Sequence, residues 1–502
     1  MDITSTTQPT KTSTSLWTIG RVLSFRNVVP VALLSMIFVL ALRQSASLDP
    51  DLWWHLKTGE QIVNTRTIPH VDDYSFTRQG TEWVAHEWLS EIILREVFKL
   101  GGLTGLLVIF SLLIVATFLI VYSRCDGQPY AASVAILLAA AASSPLFGVR
   151  PQMLTLLWAS IYVALLEKFT ETGRARLLWW LPPMMILWVN LHAGFALGLA
   201  LIGFYLFGAV LDRAWSRLLP LAVTLLICTA IVPINPNGFR MFSYPYQTLT
   251  SQSMAAFIEE WASPDFHKAM YLPFAILLLA SFGVMAASRN RPRVSELFLL
   301  LITSLMALRS VRHIPIFSLI AAPLFARHAW SLVSDRNWDK ALGGETTPAK
   351  GMKLIINALI LAAPIALAGS RVWHFASHER EYESIRNPVA AVDFLKEHNL
   401  PGPIYNRYGW GGYLIYRLYP QYRVYIDGRA DVYGDAFFTE TMQLDDGVSG
   451  WREPLDRHGV QTILIAPDVA LASLLRNDPQ WTRVYETDRA LIFTRRQEAS
   501  IK

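Results

Sequence analysis

The chain is organised by long apolar runs that alternate with shorter polar stretches. Each run is about 15 to 22 residues long, close to the roughly 20 residues that an α-helix needs to cross a bilayer core. The pattern predicts about eleven transmembrane helices. They cover the segments 28–46, 103–122, 130–147, 151–167, 176–190, 194–211, 217–234, 272–288, 295–311, 313–330 and 354–372.

The first polar stretch, residues 47–101, contains two amphipathic segments, LWWHLKTGEQIV and HEWLSEIILREVFKL. Both are predicted to form helices that lie in the membrane interface. Trp53 and Trp54 are expected to hold the first helix at the depth of the lipid headgroups. In the second segment, Glu87 and Glu91 share the polar face.

Two further stretches are long enough to fold outside the membrane. Residues 235–271 are rich in breakers and in charged residues such as Glu260, which favours a solvated loop. Residues 375–502 alternate helical runs with strand-like runs such as PIYN, YRVYID, VQTILIAP, WTRVYE and RALIFTR, which predicts a compact α/β domain.

Composition and charge give this pattern a class and an orientation. Of the residues, 53% are hydrophobic and only 17% charged, which indicates an α-helical multi-pass membrane protein. Most Lys and Arg lie on alternate short connections, so the positive-inside rule predicts a cytoplasmic N-terminus in the cytoplasmic (inner) membrane. The predicted parts are an N-terminal tail (1–27), a transmembrane bundle (28–374) and an extracytoplasmic α/β domain (375–502). The basic residues are dispersed among the loops, so we predict no nucleic-acid partner.

The segment SLDPDLWWHL carries two carboxylates directly after the first helix, Asp49 and Asp51. An aspartate can cap the helix that begins near Leu52 by accepting its free N–H groups. A pair of carboxylates followed by His55 can also deprotonate a hydroxyl or bind a divalent metal. Both interpretations remain open from the residues, and Asp51 is the stronger candidate for chemistry.

Three arginines depart from the positive-inside pattern because they lie at predicted outer turns: Arg150, Arg309 and Arg312. They can snorkel to lipid headgroups or face an anion in a cavity. Since they lie on the same side as Asp49 and Asp51, we predict that they bind a phosphate group.

Two sets of residues complete the candidate site. The predicted lining of an outer cavity comprises His55, His86, Glu87, His192 and His313, although His192 in WVNLHAGF also fits a simple helix turn. The segment from 406 to 434 combines Tyr, Gly and Arg, which suits either the corners of a small domain or contacts to an acceptor. Its acceptor-contact candidates are Tyr408, Trp410, Tyr413, Asp427 and Arg429.

These segments resemble a known family. DPDLWWHL, IPHVDDYSF and WVAHEWLSE, with LWVNLHAGF and LRSVRHIP, are similar to bacterial multi-pass proteins grouped with the protein O-mannosyltransferase and aminoarabinose-transferase families. The layout resembles the GT-C superfold of polyprenyl-phosphate-sugar glycosyltransferases. That resemblance implies a catalytic or metal-linked acid at the start of the first outer loop, a role that falls on Asp49 or Asp51. YGWGGYLIYR is loosely similar to an oligosaccharyltransferase acceptor motif, but Gly409 is followed by Trp410 where that motif has an acid.

The predicted function is therefore transfer of a hexosyl or pentosyl group from a polyprenyl-phosphate donor to an acceptor hydroxyl on the outer membrane face. The expected partners are the lipid-linked sugar, membrane lipids, and a glycan, lipid or protein acceptor. A divalent metal is compatible with this chemistry but not required by it. The alternatives are a non-catalytic transporter or export component, or a relative of the same fold that binds a glycan lipid.

Overall fold

The computed structural model describes residues 22–125, 129–335 and 349–496, so residues 1–21 of the predicted tail lie outside it. The bundle contains α1 (Phe25–Ser45), α2 (Leu52–Thr65), α3 (Trp88–Ser123), α4 (Pro129–Ser143), α5 (Gln152–Thr172), α6 (Leu181–Leu191), α7 (Phe195–Leu211), α8 (Leu218–Ile231), α9 (Arg240–Thr250), α10 (Gln252–Phe257), α11 (Leu272–Ala287), α12 (Val294–Arg309), α13 (Ile314–Asp335) and α14 (Met352–Ser377). The C-terminal domain contains α15 (Glu379–Arg386), α16 (Val389–His398), β1 (Ile404–Asn406), α17 (Gly411–Leu418), α18 (Ala430–Asp445), α19 (Arg452–Arg457), β2 (Thr462–Ile465), α20 (Ala470–Arg476), β3 (Trp481–Glu486) and β4 (Leu491–Arg495).

The apolar runs form the bundle of a multi-pass membrane protein. Among the described residues, eight helical segments are long and apolar enough to cross a membrane. All eleven predicted segments are helical, but the predicted spans 176–190, 194–211 and 295–311 coincide with shorter helices. The central helix α13 packs against α4 and α11 and is mostly buried, whereas α14 lies at the edge against α1.

The first loop departs from its prediction in two ways. The second amphipathic segment and the second span form one element, α3, which continues through a break at Gly102 (φ 61°, ψ −157°). Glycine adopts a positive φ without the steric cost that other residues meet. The prediction that Trp53 and Trp54 lie among headgroups is wrong, because both are buried. The ring of Trp53 packs edge-on against Tyr413 of the C-terminal domain at 5.1 Å.

The C-terminal domain is built on a four-stranded sheet with the order β1-β2-β4-β3. β1 pairs with β2 in parallel, and the other two pairs are antiparallel. The strand-like run YRVYID is not a strand of this sheet; its Val424 forms an isolated parallel bridge with Ser75 of the first loop. The segment WGGYLIYRLY is largely the helix α17, which packs against α2.

The first loop and the C-terminal domain are joined by polar contacts that include the backbone. Val424 N–H donates to the Tyr74 carbonyl at 3.0 Å, and Phe76 N–H donates to the Val424 carbonyl at 3.1 Å. Arg429 is fully buried and forms ion pairs of 2.7 Å with both Asp72 and Asp427. This joint places the C-terminal domain directly over the start of the first loop.

Candidate active site

A cavity of about 730 Å³ lies where the first loop, the bundle and the C-terminal domain meet. Its charged and aromatic lining includes Asp49, Asp51, Trp54, His55, His86, Glu87, Glu91, Arg150, His192, Tyr244, Glu260, Trp261, Arg312, His313, Tyr408, Arg429 and Asp431. Three separate parts of the chain therefore supply one polar cavity.

The two predicted carboxylates have different roles in this geometry. Asp49 Oδ1 accepts a hydrogen bond from the backbone N–H of Asp51 at 2.9 Å and so shapes the turn before α2. Asp51 precedes the first residue of α2 but makes no capping hydrogen bond. Its Oδ1 instead accepts from Trp54 Nε1 at 3.1 Å. The carboxyl group of Asp51 is thus directed to the cavity.

Burial is the main reason why the pKa of Asp51 rises from 3.8 to about 7, and the nearby charge of Asp49 raises it further. His55, Trp54 and Arg150 oppose this shift but do not cancel it. A carboxyl group with a pKa near neutrality is well matched to accept and return a proton at physiological pH.

Two of the three predicted arginines meet in the cavity around one glutamate. Arg150 binds Glu260 through both guanidinium Nη atoms, the second at 2.9 Å, and lies 3.4 Å from Asp49 Oδ2. Arg312 lies 3.5 Å from Glu260 and stacks over the Trp261 ring at 4.5 Å. Burial raises the pKa of Glu260, but the charges of the two arginines outweigh it and bring the value down to about 2. Glu260 is therefore an anion throughout the working pH range.

Arg309 lies elsewhere. It is exposed at the end of α12 and outside the cavity lining, and its carbonyl accepts a hydrogen bond from Ser263. The structure therefore does not bring Arg309 to the site predicted for it, because the chain turns at Ser310 and directs only Arg312 inward.

The predicted cavity-lining residues come together around Glu87, which lies within 3.5 Å of three imidazoles, those of His55, His86 and His192. His86 Nδ1 is 3.2 Å from the Val84 carbonyl, and its Nε2 is 2.9 Å from Glu87 Oε1. Both partners only accept hydrogen bonds, so both ring nitrogens of His86 donate and the ring is positively charged. Burial lowers the pKa of His86, but the carboxylate of Glu87 outweighs it and raises the value.

His192 is held in the opposite state. The Gly194 N–H donates to its Nδ1 at 2.9 Å, so the proton of a neutral ring lies on Nε2, which is 3.5 Å from Glu87. Burial lowers the pKa of His192 to about 3, and the ring is neutral. His313 also lines the cavity beside Arg312.

The acceptor-contact candidates are divided by the fold. Tyr408 and Arg429 line the cavity, although the Arg429 guanidinium is engaged by its two aspartates. Trp410, Tyr413 and Asp427 lie outside the lining. Trp410 Nε1 donates to the Arg386 carbonyl, the Tyr413 hydroxyl donates to Glu383, and Asp427 accepts from Arg429 and the Tyr433 hydroxyl. These three side chains hold the domain together rather than face an acceptor.

Several cavity residues were missed from the sequence. The sequence pattern places Glu260 in a solvated loop and Glu91 on the polar face of an interfacial helix. Tyr244 and Asp431 carried no signal. For Glu91 the signal was present, since it follows Glu87 by one helical turn and therefore shares its face.

The described residues provide no preformed cluster of protein ligands for a divalent metal. Among the described residues, no group of three or more His, Cys, Asp or Glu side chains is placed to hold a metal ion. Asp49 is 3.4 Å from the Arg150 guanidinium, which fills the position beside it with positive charge. We therefore derive no step that involves a metal.

Comparison with known proteins gives a fold but no sequence relative, since no family description and no curated protein matches the chain. The oligosaccharyltransferase AglB from Archaeoglobus fulgidus, solved with an inhibitory peptide and a dolichol-phosphate, superposes with a TM-score of 0.53 at 12% identity, over 87% of this chain and 69% of AglB. An oligosaccharyltransferase of the same organism, tethered to an acceptor peptide, gives a TM-score of 0.53 at 12% identity, over 93% of this chain and 74% of that one. The mycobacterial arabinofuranosyltransferase AftD gives 0.44 at 15% identity, over 95% of this chain and 40% of AftD.

Proposed function

We propose that this chain, which has the GT-C fold, is a glycosyltransferase that moves a sugar from a polyprenyl-phosphate donor to an acceptor hydroxyl. One observation carries the proposal: a carboxyl group with a pKa of about 7, Asp51, shares a cavity with the guanidinium groups of Arg150 and Arg312. A base and an anion site side by side are what transfer from a sugar phosphate needs.

The donor phosphate would bind Arg150 and Arg312. Guanidinium groups bind phosphate through paired N–H donors, and a mostly buried site strengthens that attraction. Arg150 also approaches Asp49, so the phosphate would lie within a few ångströms of the turn that carries Asp51. The polyprenyl chain would extend from the cavity into the surrounding lipid.

In the reaction, Asp51 accepts the proton of the acceptor hydroxyl as the oxygen attacks the anomeric carbon. A new carbon–oxygen bond forms there, and the bond from the anomeric carbon to the phosphate oxygen breaks with its electron pair on that oxygen. Negative charge therefore grows on the leaving phosphate, where Arg150 and Arg312 stabilise the transition state more than the bound donor. The proton on Asp51 passes to solvent or to the departing phosphate before the next turnover.

The acceptor would enter from the side of the C-terminal domain, where Tyr408 and Asp431 line the cavity. AglB acts on peptides, but we carry no acceptor over from it and propose only a hydroxyl-bearing glycan, lipid or protein. We further propose that this end of the bundle faces outward from the cytoplasmic membrane, with the N-terminus inside, because basic residues concentrate on the opposite loops.

The test uses purified full-length protein and a panel of labelled polyprenyl-phosphate sugars incubated with membrane glycan, lipid and protein acceptors. We expect Asp51→Asn to lower turnover by about 10²- to 10⁴-fold, the range typical of general base catalysis. Asp265→Asn is the matched control, since Asp265 is exposed and bonds to His267. Equal turnover by the wild type and Asp51→Asn would refute the role of Asp51 as the general base. Tight donor binding without any turnover would favour a non-catalytic protein that binds glycan lipids.

A further inference from the structure

Glu91 is a buried carboxylate on the cavity wall that the proposed reaction does not use. It lies in the first turn of α3, is 1% exposed, and lines the cavity. Within the described residues its Oε2 has no hydrogen-bond partner. A buried oxygen left unpaired is unfavourable, so a buried carboxyl oxygen that faces a cavity favours a ligand that donates a hydrogen bond to it.

His55 links Glu91 to the rest of the polar cluster. Its Nδ1 is 3.5 Å from Glu91 Oε1, and its Nε2 is 3.5 Å from Glu87 Oε2, both longer than a normal hydrogen bond. His55 Nδ1 is itself buried without a hydrogen-bond partner among the described residues. The wall thus presents an acceptor and an imidazole nitrogen at one place.

The position of this pair relative to Asp51 indicates which part of a substrate it meets. His55 follows Asp51 by one helical turn, and its N–H donates to the Asp51 carbonyl at 3.2 Å. Four residues along an α-helix advance about 6 Å along its axis. His55 and its neighbour Glu91 therefore line the same cavity as Asp51, about one turn of α2 further along, where a ring bound at Asp51 would extend.

Other occupants fit this wall poorly. A phosphate would meet the carboxyl groups of Glu87 and Glu91 at this wall, whereas Arg150 and Arg312 offer it guanidinium groups in the same cavity. An alkyl chain would leave Glu91 Oε2 unpaired in an apolar contact. The acceptor approaches from Tyr408 and Asp431 on the C-terminal domain, whereas Glu91 belongs to the bundle.

We infer that Glu91 and His55 form the subsite that binds the hydroxyl groups of the donor sugar and thereby selects the sugar. This inference rests on the proposed function, since it assigns one wall of the same cavity. The subsite recognises a hydroxyl-rich ring. Glu91 Oε2 accepts a hydrogen bond from one hydroxyl group of the sugar, and His55 lies beside the next hydroxyl group of the ring.

The test separates the sugar from the phosphate by measuring the binding of two probes to the full-length protein. One is bare polyprenyl phosphate, and the other is a panel of polyprenyl-phosphate glucose, mannose, galactose, N-acetylglucosamine and arabinose. For the best-bound sugar, Glu91→Gln should weaken binding about tenfold or more while binding of bare polyprenyl phosphate changes less than twofold. Glu96 is a partly exposed residue of the same helix and pairs with Arg95, so Glu96→Gln should change the binding of neither probe.

The inference would be overturned if Glu91→Gln weakened the binding of both probes equally, or weakened the binding of neither. It would also be overturned if the wild type bound every sugar-bearing lipid no better than bare polyprenyl phosphate. His55→Gln provides a second variant should Glu91→Gln not fold, and it should show the same selective loss. A failure of the proposed function would give a different result, because Arg150→Gln would then not weaken the binding of bare polyprenyl phosphate.

A second design compares the wild type and Glu91→Gln with a series of deoxy sugars. Removing the hydroxyl group that donates to Glu91 should weaken binding by the wild type and leave binding by Glu91→Gln unchanged. The two proteins should therefore have similar affinities for that deoxy analogue alone. Parallel losses in both proteins for every deoxy position would also overturn the inference.

Discussion

At the scale of single residues, the environment of Asp51 gives a signed pH dependence. Asp51 acts as a base only when it is ionised, and burial followed by the charge of Asp49 places its pKa at about 7. We expect kcat/KM to rise with pH through about 7 and to level off above it, as measured in a pH series with a fixed donor. In Asp49→Asn the repelling charge is absent, so the same rise should shift to lower pH. A profile that is unchanged by Asp49→Asn would show that another group titrates.

Glu260 gives the second prediction at this scale. Its carboxylate occupies the two guanidinium groups to which we assign the phosphate, so the donor and the product must compete with it. Glu260→Gln removes that competing charge, and we expect polyprenyl phosphate to bind about tenfold more tightly, since charge-assisted contacts contribute roughly 1.5 to 3 kcal/mol. Calorimetry or fluorescence titration measures this.

The neighbouring Glu259→Gln is the matched control, because Glu259 belongs to the same short turn but pairs with Lys268 in an exposed position. Weaker binding of polyprenyl phosphate by Glu260→Gln would mean that Glu260 orients the arginines rather than competes with the ligand.

At the scale of elements, close backbone approach makes Gly412 essential to the contact between α17 and α2. A Cβ there would lie 2.6 Å from the Pro50 carbonyl oxygen, beside the turn that carries Asp51. We expect Gly412→Ala to destabilise the protein by about 1 to 3 kcal/mol, the usual cost of overpacking, and to lower activity by displacing Asp51. Thermal unfolding and turnover report both effects.

Gly409→Ala tests the same segment at a position where an added Cβ meets nothing within 4 Å. Its unfolding temperature should match that of the wild type. Equal destabilisation by both alanines would show that the segment needs glycine for backbone flexibility rather than for close packing.

The sequence predicted the elements better than their partners. Apolar length indicated the helices long enough to cross a bilayer, because crossing imposes a local requirement that can be counted. It gave no signal for α9 and α10, which form in the stretch 235–271 that was expected to be a solvated loop. Trp53 illustrates the limit: its amphipathic helix suited a lipid interface, but Tyr413, far away in the chain, covers that face. Residue type and the predicted side of the membrane grouped the two carboxylates with the three arginines, and the structure places the carboxylates, Arg150 and Arg312 in one cavity. Glu260 was not grouped with them, since nothing local shows that a charged loop folds inward.

At the scale of the whole molecule, the buried Arg429 ties the first loop to the C-terminal domain. Arg429→Met would leave Asp72 and Asp427 buried without their cation, and losing one partner of a buried pair costs about 3 to 5 kcal/mol. We expect a large drop in the unfolding temperature measured in detergent.

Arg423→Met removes a comparable but partly exposed ion pair, in which Arg423 Nη2 lies 2.8 Å from Asp73 Oδ1. Exposed pairs contribute about 0 to 1 kcal/mol, so this variant should unfold within a few degrees of the wild type. Similar shifts for the two variants would contradict the structural importance assigned to Arg429.

The tie between Asp72 and Arg429 also has a consequence for how the protein is made, because its two ends are 357 residues apart in the chain. At about 5 to 20 residues per second, a ribosome needs roughly 20 to 70 seconds to synthesise the second end after the first. During that interval the aromatic face of α2, including Trp53, has no domain to cover it. We therefore expect the nascent first loop to need cover from lipid or from a chaperone, and the cavity to become complete only after the C-terminal domain has been synthesised and has folded.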